Sequence, residues 1–110
     1  ALTSLKTGDK VYIVAPTYNM ALSADKVSAG SYYNKGVDVS SGFGSLTDAE
    51  TWVVTVNEDG SYTFTSVTGS VLALADSYSS FNDQGNNKTW VLEEKATMLP
   101  AWDPMFMPEE

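Results

Sequence analysis

The chain carries the same three-part pattern twice, and this internal repeat constrains its fold more than any single segment. Val11-Tyr12-Ile13 lines up with Tyr62-Thr63-Phe64. After a one-residue indel in the following turn, Met20-Ala21-Leu22 lines up with Leu72-Ala73-Leu74. Further on, Glu50-Thr51-Trp52-Val53-Val54 lines up with Lys88-Thr89-Trp90-Val91-Leu92. Each copy reads as strand, turn, short strand, long polar loop and Trp-bearing strand. The matches divide an all-β domain over 1–95 into one lobe at about 8–56 and a second at about 61–95.

The local patterns agree with strands nearly throughout. Val11-Tyr12-Ile13-Val14 is a β-branched run behind the turn signal Thr7-Gly8-Asp9. Residues Thr51 to Val56 and Ser61 to Ser66 flank Asn57-Glu58-Asp59-Gly60, which predicts a hairpin with Gly60 at positive φ. Trp52, Val54 and Val56 alternate with Val53 and Thr55, and Tyr62 and Phe64 alternate with Thr63 and Thr65. One face is therefore expected to be buried and the other lined with hydroxyls. No window carries a helical stripe, although Ser45 to Glu50 can form one turn capped by Ser45 or Thr47.

Composition excludes several chemistries. The 110 residues include no His, no Cys and no Arg, since all six basic residues are Lys. Ser-His-Asp and Cys-His catalysis, thiolate or imidazole zinc sites and disulfides are thereby removed. A net charge of −8 opposes binding to nucleic acid and to anionic membranes. No apolar run approaches the roughly 20 residues of a bilayer span. The opening residues lack a basic stretch followed by an apolar one, as expected of a mature or excised domain. No cofactor is expected.

The two polar loops are the candidate ligand sites, because loops of this composition carry function more often than cores do. The second holds Asp76, Tyr78, Asn82, Asp83, Asn86 and Asn87 within a dozen residues. A carboxylate and an amide can hold vicinal sugar hydroxyls, while an aromatic face covers the sugar's C–H side. The first loop offers Asp25, Tyr32, Tyr33 and Asn34. The competing reading is local, with Asp76 or Asp25 starting an Asx-turn on its own backbone. Trp52 and Trp90 could likewise stack on sugars, but their alternating apolar surroundings place them in the core. Asn82, Asp83 and Asn86 are oxygen donors of the kind Ca²⁺ prefers, yet their spacing does not match the twelve-residue calcium loop, and no metal site is assigned. Carboxylate pairs such as Asp76 with Asp83 could act in glycoside hydrolysis only if their separation were fixed. Nothing in the sequence fixes it, and no catalytic residue is assigned.

The aromatic-x-aliphatic strand, the Leu strand and the Trp strands resemble two lobes of a ricin-type β-trefoil. In such lectins each lobe ends near a Gln-x-Trp, and here Glu50-Thr51-Trp52 and Lys88-Thr89-Trp90 stand in its place without the Gln. The stretch from Gly8 to Leu92 also resembles an accessory domain of secreted multi-domain surface proteins from gut Gram-positive bacteria. The segments carrying this include Met20-Ala21-Leu22-Ser23, Asp59-Gly60-Ser61-Tyr62-Thr63-Phe64 and Leu74-Ala75-Asp76-Ser77-Tyr78-Ser79-Ser80. The resemblance implies a β-trefoil-like fold, at the cell surface or secreted. It implies no activity.

The third lobe of a trefoil is missing, and residues 96–110 form a different kind of segment. They hold three of the four prolines and three of the four methionines. The prolines suit an extended arm laid along a sheet edge rather than a central strand. Trp102, Met105, Phe106 and Met107 are expected to pack on an apolar surface, in this chain or in a partner. Closure thus has three routes: the arm fills the gap, a homodimer completes the barrel, or the fold is no trefoil but a smaller barrel or sandwich. The favoured form is a small closed or partly open β-barrel with the arm packed on it. The leading functional expectation is a non-catalytic binding module for carbohydrate. The alternative is a structural or protein-interaction domain whose protein partner contacts the arm.

Overall fold

A computed structural model describes residues 5–15, 18–31, 33–74 and 81–91, together with the backbone of 103–106. These residues are strands, turns and loops, with a 3-10 turn at Asp48–Glu50 and no α-helix among them. The strands are β1 (Lys10–Ala15), β2 (Met20–Lys26), β3 (Asn34–Asp38), β4 (Trp52–Val56), β5 (Tyr62–Ser66), β6 (Ala73–Leu74), β7 (Phe81–Asn82) and β8 (Asp103–Phe106). The main sheet is antiparallel in the order β3-β2-β1-β4-β5, with β8 also paired to β1. β6 and β7 form a separate two-stranded sheet.

The β4–β5 hairpin follows the alternation in the sequence. Its register runs from Val56 opposite Tyr62 to Trp52 opposite Ser66. Gly60 takes φ 85°, and the Asp59 carboxylate accepts from both N–H and hydroxyl of Ser61. Trp52, Val54 and Phe64 are buried, while Val56 reaches solvent where the turn begins. The expected turn before β4 is also present. Asp48–Glu50 forms a 3-10 turn with Thr47 as N-cap and a reciprocal Thr47–Glu50 capping box.

β1 is buried on both faces, which its unbroken apolar run requires. Val11 and Ile13 join Leu22, Trp52, Val54, Phe64 and Leu72 in the main core. Tyr12 and Val14 join Ala21 on the opposite face, covered by Val39, Phe43 and Leu46. Phe43 packs against Tyr12 with ring centroids 5.3 Å apart, so it belongs to this second core.

The two tryptophans make parallel sets of contacts. Trp52 pairs with Val11 and Trp90 with Tyr62. The Trp52 indole N–H donates to the Leu22 carbonyl at 3.0 Å, and that of Trp90 donates to the Leu72 carbonyl at 3.2 Å. Val14 pairs with Ala21, and Thr65 with Val71. By these contacts Leu22 and Leu72 occupy like places, whereas the sequence alignment sets Leu22 against Leu74. The slip is two residues because the second turn is shorter rather than longer. A two-residue slip keeps every side chain on its face, so the apolar pattern alone cannot register it.

β8 lies along the other edge of β1, with Phe106 opposite Val11 and Asp103 opposite Val14. The Val54 N–H donates to the Asp9 carbonyl at 2.8 Å, so odd-numbered residues here turn their backbone groups toward β4. Tyr12 and Val14 turn theirs toward β8. Pro104 faces Ile13, at a position where no N–H is required of it. Trp102 and Met107, and the side chains of Met105 and Phe106, lie outside the described residues.

Candidate functional site

The two polar loops meet at one charged junction. Lys26 ends β2 and Asn34 begins β3, directly opposite each other in the ladder. The Lys26 ammonium donates to Oδ1 of Asn34 at 2.8 Å. The same Nζ lies 3.1 Å from Oδ1 of Asp83, which follows β7 in the second loop. The Lys26 and Asp83 side chains are 24% and 26% exposed, so water only partly screens the pair. A register shift lies between Leu22 and Lys26, just before this junction.

The remaining candidates around this junction differ in what they can offer. Asp25 is exposed, and its N–H donates to the Ser23 hydroxyl at 3.0 Å. Tyr33 is half-buried, with its N–H on Ser31 Oγ and its carbonyl accepting from Val27. Asn86 is exposed. Asn82 is buried, and its Oδ1 accepts from the N–H groups of Gln84 at 3.2 Å and Gly85 at 2.9 Å. That is the Asx-turn role, and it leaves the Asn82 oxygen committed to the loop backbone. Asp76, Tyr78 and Tyr32 lie outside the described residues.

Gly85 shows why this loop is tight. A Cβ there would stand 1.8 Å from the Leu74 carbonyl oxygen, so only glycine lets the loop close over β6. The Leu74 N–H in turn donates to the Asn87 carbonyl at 2.9 Å. Of the two tryptophans, Trp52 is fully buried, and Trp90 packs against the core and against Phe81 at 5.6 Å. Both are core residues, as their alternating surroundings predict.

One buried polar constellation is only half visible in the sequence. Glu50 is buried at the edge of the core, accepting from the Ser23 hydroxyl at 2.6 Å on Oε2. Its Oε1 accepts from the Thr47 N–H at 3.0 Å and the Thr47 hydroxyl at 3.2 Å. These contacts satisfy a buried carboxylate with hydroxyls and a backbone N–H, and they tie β2 to the 3-10 turn. Only the capping-box half was legible, since Ser23 lies 27 residues away in sequence. Among the described residues, no three acidic side chains gather as a metal-binding group. Comparison with protein-family models, curated proteins and solved structures finds no match for the chain.

Proposed function

We propose that the chain is a non-catalytic binding module of a secreted or surface-displayed protein, taking carbohydrate through its two polar loops. The observation that carries this reading is the Lys26–Asp83 ion pair at 3.1 Å, which draws the loops onto one surface. There Asp25, Asp83, Asn34, Asn86 and Tyr33 provide acceptors, donors and an aromatic ring, the set that a sugar's hydroxyls and C–H face require. The architecture belonging to this reading is a two-lobed, β-trefoil-like domain. Its support is the parallel pairing of Val11 with Trp52 and Tyr62 with Trp90, and the two indole bonds to Leu22 and Leu72.

The test is a glycan array followed by titration with simple sugars, comparing the native chain with Asp25→Ala, Asp76→Ala and Tyr78→Ala. Binding by the native chain and its loss in the loop variants is the expected result. No binding to any glycan overturns the reading. The competing reading is a protein-interaction domain that contacts its partner through Trp102 and Phe106. It is less favoured because the segment Asp103–Phe106 is already paired with β1 of its own chain. Binding that follows Trp102→Ala instead of the loop variants would favour it.

A further inference from the structure

The Lys26 junction holds a primary amine, a carboxamide and a carboxylate in contact. Nζ of Lys26 is 2.8 Å from Oδ1 of Asn34 and 3.1 Å from Oδ1 of Asp83. The carbon that an amine would attack, Cγ of Asn34, is bonded directly to the oxygen that Nζ already touches. On the other side of that carbon, Nδ2 is buried and has no hydrogen-bond partner. Nothing therefore holds Nδ2 in place as a donor, and it is the group that amide exchange would expel.

The geometry points to an isopeptide crosslink between Lys26 and Asn34, formed within the chain and promoted by Asp83. Nζ passes a proton to the Asp83 carboxylate and adds to Cγ of Asn34. The Cγ–Nδ2 bond then breaks, and Asp83 hands the proton to the leaving nitrogen. An ammonium nitrogen with three hydrogens becomes an amide nitrogen with one. Of the two protons released, one completes ammonia and the other leaves with it as ammonium. One C–N bond replaces another, with no change in oxidation state and no metal or second substrate. Asp83 ends as it began.

Placement supplies what free amines and amides lack. Amide exchange between separate molecules is negligibly slow, and holding the reacting groups in contact removes most of that entropic barrier. Cross-strand pairing brings the Lys26 and Asn34 side chains together. The Asp83 carboxylate is ion-paired with the same amine, its Oδ1 making no hydrogen bond and so open to a proton. The product would tie the end of β2 to the start of β3, closing residues 27–33 into a covalent loop beside the register shift. In the crosslinked chain Lys26 carries no charge, so its ion pair with Asp83 belongs to the chain before the bond forms, and the new amide takes over as the tie at this junction.

Intact-mass measurement of the full chain after prolonged incubation is the test. The expected mass is below the sequence mass by one ammonia, and protease digestion should yield a branched peptide joining the Lys26 and Asn34 segments, with cleavage after Lys26 blocked. Lys26→Arg and Asp83→Asn should both keep the full sequence mass. A native chain at full mass overturns the proposal. So does ammonia loss that persists in Lys26→Arg, which would mark a succinimide at an asparagine. If Asp83→Asn does not fold, the branched peptide of the native chain still decides the question.

Discussion

The hydroxyl of Ser23 donates to Oε2 of Glu50 at 2.6 Å, and both side chains are buried. Glu50→Ala would strand the Ser23 hydroxyl and the Thr47 N–H and remove the capping box, at a cost of about 3 kcal/mol. Ser23→Ala leaves one carboxylate oxygen without its donor and should cost roughly 1–3 kcal/mol. The double variant should cost less than the sum, because each single change already breaks the shared bond. Urea denaturation of the four proteins measures this, and strict additivity would show that the contact contributes nothing.

Gly85 and Gly44 make a matched pair of tests. A methyl at Gly85 collides with the Leu74 carbonyl, whereas nothing lies within 4 Å of one at Gly44. Gly85→Ala should destabilise at or beyond the upper end of the roughly 1–3 kcal/mol that overpacking costs. Gly44→Ala should fall within about 0.5 kcal/mol of the native chain. Equal melting temperatures for the two variants would mean that the loop over β6 is not closed as described.

The features legible in the sequence are those whose partners lie close along the chain. The β4–β5 hairpin was readable because Trp52, Val54 and Phe64 alternate with polar residues and Gly60 marks the turn. The turn that Glu50 closes was readable as one capped by Ser45 or Thr47, and the structure selects Thr47. The other half of Glu50's environment was not, since a serine in a strand gives no sign that it faces a carboxylate 27 residues on. Asn82 shows a different limit. An asparagine in a polar loop suits a ligand site and an Asx-turn equally well, and only the positions of the Gln84 and Gly85 N–H groups separate the two. The meeting of Lys26 with Asp83 joins residues 57 apart in the chain, and no local pattern announces it.

Two exposed aspartates give a pH dependence. Asp59 and Asp38 are both held below the ordinary aspartate value, first by the hydroxyls of Ser61 and Ser40 and then by the backbone N–H groups of the same residues. A carboxyl depressed in the folded state stabilises the fold above its unfolded value of about 3.9, and the contribution is lost as pH falls through the folded value. NMR titration of the carboxyl carbons should therefore find both groups titrating below free aspartate. Ser61→Ala should return Asp59 upward and leave Asp38 unmoved. An Asp59 midpoint at the free value in the native chain would contradict the hairpin-turn bonds.

The pairing of β8 with β1 separates a proline that the ladder tolerates from one that it would not. Pro104 faces Ile13, whose backbone groups turn toward the opposite edge, so its missing N–H costs nothing. Met105 faces Tyr12, whose groups turn toward β8, so the Met105 N–H belongs to the ladder. Met105→Pro should remove that bond and lower stability by about 1–2 kcal/mol, whereas Pro104→Ala should be nearly neutral. Deleting residues 97–110 removes the β8 partners of Val11 to Val14 and uncovers that edge of the most buried strand. Such a chain should melt lower than Met105→Pro, or associate through the bare edge. Melting curves together with sedimentation of the three variants separate these outcomes. If the deleted chain stays monomeric and melts with the native one, the pairing of Asp103–Phe106 makes no contribution to the fold.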